Sequence, residues 1–136
     1  MDILGMYQLC LKAKADYVLS VKENQPALYN DIKDYFELVE ENWERNPLSD
    51  VWRSGAGKKR HGRIESLEVL TEENIDWLSG KGKWKDLKSI ILYRRKCLEG
   101  DKTSVSTHYY ISSLALDAEE AARAKSMRHR YYVFSF

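Results

Sequence analysis

Residues 15–36 read ADYVLSVKENQPALYNDIKDYF and join a short apolar run to an amphipathic one. The run Tyr17–Val21 is rich in strand-forming residues and predicts a buried strand. Pro26 suits the first turn of a helix, so a helix is predicted to begin there. Its apolar stripe recurs every three or four residues, at Leu28, Ile32, Phe36 and Val39. This strand followed by a helix predicts an α/β or α+β fold.

The flanking sequence supplies further elements. Residues 3–14 favour a helix, with Leu4, Leu11, Met6 and Cys10 expected on one side. Residues 42–59 contain Asn-Pro and Ser-Gly-Ala-Gly and are predicted to be a loop. Strands are predicted over residues 63–70, 89–95 and 104–111, with a hairpin connection at residues 99–102. A last helix is predicted from Asp117, where DAEE resembles a capping box, and residues 131–136 look like a strand.

Composition limits the class of protein. At 136 residues and 43% hydrophobic content, the chain has one domain's worth of sequence and enough apolar area to fold. No apolar run is long enough for a membrane span and no secretory signal opens the chain, so we expect a cytoplasmic protein with no membrane partner. Cys10 and Cys97 are predicted to be buried thiols, and the three histidines share no spacing typical of metal ligands.

Charge is nearly balanced but unevenly distributed. The chain has 22 basic and 21 acidic residues, a net charge of +1, which argues against a strong general nucleic-acid binder. Residues 58–63 nevertheless read KKRHGR, and an acidic run extends from Glu37 to Glu44. Local contact with DNA is therefore compatible with this sequence.

Four blocks resemble, in order and spacing, segments of the ISAs1-type, or H-repeat-associated, bacterial transposases, a branch of the DDE enzymes that cut and rejoin DNA. The blocks are residues 15–25 (ADYVLSVKENQ), 61–65 (HGRIE), 84–91 (WKDLKSII) and 109–113 (YYISS). They spread over most of the chain. None is a chemical fingerprint alone, so the resemblance rests on their order.

The resemblance implies an RNase H-like core in which two aspartates and a glutamate bind two divalent ions, Mg²⁺ or Mn²⁺. Residues 1–5 (MDILG) resemble the family's Asp-x-x-Gly block, which makes Asp2 the candidate second catalytic aspartate and metal ligand. Asp2 lies 14 residues before Asp16, about one helical turn short of the family pattern. The alternative interpretation of Asp2 is an acid near a frayed helix end.

The family's other two catalytic acids have no counterpart here. The first aspartate lies upstream of anything present, and the His-Trp-x-x-Glu-Asn motif is expected where residues 127–136 read MRHRYYVFSF. Glu119 and Glu120 are interpreted as acids that favour the start of a helix, not as replacements for the missing glutamate. We therefore expect an inactive, truncated piece of the enzyme that binds no metal itself.

The resemblance also divides the chain. It implies one incomplete catalytic-domain fragment: a partial RNase H-like core at residues 1–25, an insertion of a helix and antiparallel strands at 26–113, and a final helix with a divergent tail at 114–136. Because the first strands of the core are missing, Tyr17–Val21 is expected to lack hydrogen-bonding partners, and independent folding is doubtful.

Six residues are candidates for DNA contact. Basic side chains contact phosphates, and function clusters at the ends of core strands in α/β sheets. The candidates are Lys22, Asn24, Lys58, Lys59, Arg60 and Arg63. Helix capping is the alternative role for Asn24, and a solvated loop is the alternative for the basic run.

Three functional hypotheses follow. The leading one is an inactive remnant of an insertion-sequence transposase, whose parent cleaves DNA and joins strands at element ends. The second is a binding module, without catalysis, that engages DNA or other transposase subunits. The third is an independent small α+β interaction protein.

Overall fold

The computed structural model describes residues 3–43, 50–53, 58–60, 62–126 and 132–134. Over these ranges the fold is α+β, as the sequence predicts, with helices packed on a mainly antiparallel sheet. The helices are α1 (Ile3–Lys12), α2 (Pro26–Glu41) and α3 (Ala118–Ser126). The strands are β1 (Tyr17–Val21), β2 (Asp50–Arg53), β3 (Lys58–Arg60), β4 (Arg63–Glu72), β5 (Ser89–Glu99), β6 (Lys102–Ser112) and β7 (Tyr132–Phe134).

All of the described strands belong to one sheet, in the order β2-β4-β5-β6-β1-β7, with β3 also paired to β4. β1 is antiparallel to β6 and parallel to β7. The expectation that Tyr17–Val21 lacks partners is therefore wrong, because strands from later in the chain flank it on both sides. The sheet contains strands from each of the three predicted segments, and that division of the chain stays a prediction.

Two hydrophobic clusters lie on opposite faces of the sheet. One contains the predicted stripe of α2, of which Ile32 and Phe36 are fully buried, together with Leu19, Leu92 and Ile111 of the strands. The other lies beneath α3 and includes residues of four strands: Val18, Val69, Ile91, Tyr93 and Tyr110. Burial on both faces explains the continuous apolar sequence of β1 and of the first half of β5.

Helix α1 begins at the predicted residue, ends two residues earlier than predicted, and buries a different face. Ile3, Met6, Tyr7 and Cys10 are buried, whereas Leu4 is 46% exposed and Leu11 is 37% exposed. The buried residues follow the helical spacing of three and four. Leu4 and Leu11 follow the same spacing one position further round, so hydrophobicity alone could not select the face.

The predicted loop at residues 42–59 is wrong in part, because it contains β2 and the start of β3. Val51 packs against the cluster that includes α2, and Trp52 against the cluster beneath α3. Only two apolar residues carry this alternation, which is too short a pattern to recognise between turn-forming segments. The hairpin between β5 and β6 is confirmed, with Gly100 at a φ of 59°.

Tyr17 joins β1 to the segment that precedes β5. Its hydroxyl donates to the Lys85 carbonyl at 2.8 Å, and the Lys85 N–H donates to the Tyr7 hydroxyl at 2.6 Å. Trp84 is buried and meets the Tyr7 ring edge-on, with centroids 4.9 Å apart. The WKDLKSII block therefore begins as a packing element on α1 and β1. No helix in the described ranges has the length and apolar character needed to cross a membrane.

Candidate nucleic-acid interface

Lys22 and Asn24 follow β1 at the point where the chain leaves the sheet. Val21 is the last β1 residue and lies opposite Tyr109 of β6. β1 ends at Val21, but β6 extends past Tyr109 toward its own first residue, Lys102. The turn after β1 therefore faces an exposed length of β6. The Gln25 N–H donates to the Lys22 carbonyl at 2.9 Å, which closes the turn into α2.

A cavity of about 500 Å³ lies at this turn. Its lining consists of Ser20, Val21, Lys22, Glu23, Asn24, Tyr29, Thr107, His108 and Tyr109. An ammonium group, an amide, a hydroxyl and an imidazole are the kinds of groups that donate hydrogen bonds to phosphate and sugar oxygens. We call these residues the β1-end cleft. Glu23 is the acid in the lining and opposes an anion there.

The capping alternative for Asn24 is wrong. The residue before the first turn of α2 is Gln25, and it makes no side-chain capping hydrogen bond. Pro26 occupies the first helical turn, where a backbone N–H has no partner within the helix in any case, so the helix start depends less on a cap. Asn24 is exposed and lines the cleft instead.

Two tyrosines form the apolar side of the cleft. The Tyr29 and Tyr109 rings meet edge-on, with centroids 5.4 Å apart and planes at 80°. Burial, followed by the neighbouring Tyr29 hydroxyl, raises the pKa of Tyr109 to about 12. The Tyr109 hydroxyl is therefore neutral at physiological pH and can only donate or accept hydrogen bonds.

The other DNA-contact candidates lie at the far end of the sheet. β3, with Lys58, Lys59 and Arg60, pairs with the first residues of β4, so that Arg60 lies opposite Arg63 in the backbone register. The Arg63 side chain is 48% exposed and lies 3.5 Å from the Glu99 carboxylate. The predicted solvated loop is in part a strand pair, which we call the β3–β4 arm.

The cleft and the arm do not form one site. From His108, in the cleft, to Lys102 the strand advances by about 20 Å. Lys102 lies beside Glu99, and Glu99 lies beside Arg63, each one strand further across the sheet. The two groups of candidates are therefore about 20 to 25 Å apart. One duplex could reach both only by lying along the sheet.

The described residues do not assemble a metal centre. Asp2, the candidate catalytic aspartate and metal ligand, lies outside them. No three His, Cys, Asp or Glu side chains of the described ranges are placed to bind one ion. The described residues therefore do not supply the three acids that the implied divalent-metal centre requires.

Glu119 and Glu120 lie in the first turn of α3, as the capping interpretation expects. The Asp117 carboxylate accepts a hydrogen bond from the Glu120 N–H at 2.8 Å, the first half of a capping box. Glu119 pairs with Arg123 one turn later, at 2.7 Å. The carboxylate of Asp50 also accepts from the Ala118 N–H at 2.9 Å, which ties β2 to the start of this helix.

One charged network escaped prediction from sequence. Arg94 of β5 binds Glu40 of α2 and Glu68 of β4, and Glu68 in turn binds Arg53 of β2 at 2.6 Å. Alternation along the strands places Glu68 and Arg94 on the face that α2 covers. Glu40, the helix residue that binds Arg94, is 54 positions away from it in sequence. Glu40, which belongs to the acidic run, thus joins α2 to the sheet.

Comparison with known proteins identifies a transposase relationship. No family model matches the chain, and no solved structure matches it. The chain is 31% identical over 106 residues to the uncharacterized protein in the dhlA 3′ region of Xanthobacter autotrophicus, covering 78% of this chain and 34% of that protein. It is 33% identical over 116 residues to the putative transposase YncI of Escherichia coli O157:H7, covering 82% of this chain and 28% of that protein.

These matches define the relationship and its extent. The chain is related to a protein named as a putative transposase, and the similarity extends over most of its own length. It spans only about a third of one relative and less than a third of the other. The activity of the longer proteins is therefore a matter for proposal.

Proposed function

We propose that this chain is a piece of an ISAs1-type DDE transposase, and that its own residues contact DNA without cutting it. The observation that carries the proposal is the 33% identity to a protein named as a putative transposase. The four sequence blocks, in family order, support the narrower assignment. The parent chemistry would be metal-dependent cleavage and strand transfer at the ends of an insertion element.

Within that proposal, the β1-end cleft binds the phosphate backbone. Lys22 supplies a positive charge, and Asn24 and Thr107 supply neutral hydrogen-bonding groups beside it. Contacts of this kind position a protein on DNA without reading its sequence. The cleft lies where β1 ends, between the turn after β1 and the exposed part of β6.

The metal chemistry is proposed for the parent alone. Mg²⁺ or Mn²⁺ would stabilise the attacking and leaving oxygens at phosphorus when bound by three acids. Of those acids only Asp2 has a proposed counterpart in this sequence. We propose that the 136-residue chain binds no metal of its own, cleaves no DNA and works in the cytoplasm. Its proposed partners are transposon ends and other transposase subunits.

The alternative proposal is a binding module that engages DNA or other transposase subunits and has no catalytic role. The specific observation in its favour is the β3–β4 arm, whose sequence contains four basic residues within six positions. In this arm the Arg63 side chain lies 3.5 Å from the Glu99 carboxylate. On this alternative the arm, and not the cleft, supplies the DNA contacts.

One binding experiment separates the two proposals. Fluorescence anisotropy with a labelled 30-base-pair duplex at low salt would compare the wild-type chain with Lys22→Ala/Asn24→Ala and with Lys58→Ala/Lys59→Ala/Arg60→Ala. Lys12→Ala is the matched control, since Lys12 is an exposed lysine in the last turn of α1. Circular dichroism of every variant would check that the fold is kept.

The expected result is a several-fold weaker affinity for the cleft variant and an unchanged affinity for the control. A loss confined to the arm variant would favour the binding module with an arm interface. If the wild-type chain produces no anisotropy change even at the lowest salt, the proposal of DNA contact is wrong.

A further inference from the structure

Strand β6 has an open edge along the half that extends beyond β1. β1 pairs with residues 109–112 of β6 and then leaves the sheet. On that same side of β6, residues 102–108 pair with no strand in the described part of the chain. The side toward β5 is fully paired over this length. Residues 103–107 of this long strand therefore have no strand partner on one side in the described part of the chain.

The alternation of backbone direction along β6 identifies which N–H and C=O groups point toward the open edge. The Ser113 N–H, just past the end of β6, donates to the Tyr17 carbonyl at 3.1 Å, so odd-numbered residues direct their backbone groups to the β1 side. In an antiparallel strand this direction alternates with every residue. The N–H and C=O groups of Thr103, Val105 and Thr107 therefore point outward at the open edge.

This edge carries none of the usual features that prevent strand pairing. Natural edge strands are blocked by charges, prolines or bulges. Residues 103–107 read TSVST, with no charge and no proline. Val105, at the centre, is 56% exposed, and two further exposed apolar residues, Leu98 and Ile64, lie on the same face of the adjoining strands. An edge of this kind is suited to the addition of another strand.

We propose that the open edge of β6 pairs with the same edge of a second copy of this chain, antiparallel, about a two-fold axis at Val105. The two sheets would then form one continuous sheet through the axis. Val105 would pair with its own counterpart, Thr103 with Thr107 of the second copy, and Thr107 with Thr103 of the second copy. These three pairs would exchange about six backbone hydrogen bonds, two for each pair.

Self-complementarity of the sequence selects a second copy as the occupant. About the Val105 axis, threonine meets threonine and serine meets serine, since Ser104 lies opposite Ser106 of the other copy. Cross-strand pairs of hydroxyl residues and of β-branched residues are favourable. The paired stretch ends at residues 103 and 107, because the turn after β1 lies beside His108. No acid faces an acid and no apolar residue faces a charge in this register.

The register can be tested by cross-linking. Val105→Cys places two thiols at the axis, where paired Cα atoms are about 5.5 Å apart, within reach of a disulfide. Thr103→Cys is the matched control. It is exposed on the same edge, but its two copies would be about 14 Å apart, too far for a disulfide. The native thiols, Cys10 and Cys97, are buried and free.

Sedimentation equilibrium of the wild-type chain is expected to show a monomer–dimer equilibrium. Val105→Pro, which removes the central N–H, should weaken association at least tenfold, whereas Val105→Thr should change it less than threefold. Under oxidation Val105→Cys should give a covalent dimer and Thr103→Cys should not. A wild-type monomer at all concentrations, equal cross-linking of both cysteine variants, or equal weakening by proline and threonine would overturn the proposal. None of these readouts involves DNA, so they test the dimer separately from DNA binding. Because Thr107 also lines the β1-end cleft, a dimer would close that side of the cleft to DNA.

Discussion

Arg94 binds Glu40 through both of its terminal nitrogens, at 2.7 and 2.8 Å. The pair joins the last turns of α2 to the middle of the sheet, at the point where the covered part of β5 ends and its exposed part begins. A two-bond pair between planar groups has a fixed geometry, so it positions the helix end as well as attracting it. Arg94 and Glu40 are 54 positions apart, so local sequence patterns could not predict the pair. The pair nevertheless fixes the position of the end of α2 on the sheet.

Replacing Arg94 by Ala should lower the free energy of unfolding by about 1 to 2 kcal/mol, because two partly buried carboxylates lose their common partner. Glu40→Ala should lower it by about 1 kcal/mol. Glu41→Ala is the matched control, an acid in the same turn that lies outside the network, and should change it by less than about 0.5 kcal/mol. Urea unfolding followed by circular dichroism measures all three, and equal effects for Glu40 and Glu41 would contradict the network's role.

The packing of α2 makes a second prediction. Ile32 is fully buried in the cluster that includes α2, whereas Leu38 on the same helix is 57% exposed. Ile32→Ala should destabilise the fold by about 2 to 5 kcal/mol through lost burial and a cavity, and Leu38→Ala by no more than about 0.5 kcal/mol. Thermal melting would test both, together with the expectation that the chain unfolds cooperatively. Similar melting temperatures for the two variants would show that α2 is not packed as described.

The predictable and unpredictable parts of the fold differ in the range of the interactions that form them. Strand β1, the stripe of α2 and the cap at Asp117 follow from patterns within a few residues, and all three are confirmed. The face of α1 and strand β2 depend on what lies opposite them in the sheet. Tyr17–Val21 was expected to lack partners because the first strands of the core are missing, whereas its actual partners, β6 and β7, come from far later in the chain.

The candidate site shows the same division. The end of a buried strand followed by Lys22 and Asn24 is visible in the sequence, and in the structure both residues line a cleft. Their contact with DNA stays a prediction. The other wall, with Thr107, His108 and Tyr109, comes from a distant strand and could not be predicted. The basic run was also visible, but its separation from Lys22 follows from the length of β6 and the order of the strands, which local patterns do not contain.

Alkaline pH should destabilise the fold through Tyr109. The folded pKa of Tyr109 is about 12, above its ordinary value of 10.0, because burial disfavours the charged form. A raised pKa of this kind contributes stability that is fully present below about pH 10 and is lost as the pH rises toward 12. Urea unfolding from pH 8 to 11.5 should show this decline, and Tyr109→Phe should reduce its slope. An identical slope in the variant would contradict the assignment to Tyr109.

Incubation with DNA and a divalent ion should give no cleavage. With Mg²⁺ or Mn²⁺ and a duplex containing element ends, the purified chain is predicted to leave both strands intact, since at most one of the three acids of the parent centre is present in this sequence. A nicked product visible on a denaturing gel, and lost in Asp2→Ala, would show instead that Asp2 belongs to a working centre. Asp34→Ala, a change to an exposed acid of α2 outside the cleft, is the control for an indirect effect of lost charge.

The dependence of DNA affinity on salt tests the central claim, that residues of the β1-end cleft contact phosphates, most directly. Each phosphate neutralised by a lysine contributes about −0.9 to the slope of log K against log salt. Lys22→Ala should therefore make the slope shallower by about one, whereas Asn24→Ala should lower the affinity and leave the slope unchanged. If the wild-type chain binds DNA and Lys22→Ala has the same slope and affinity, the cleft does not contact phosphate and the account is wrong.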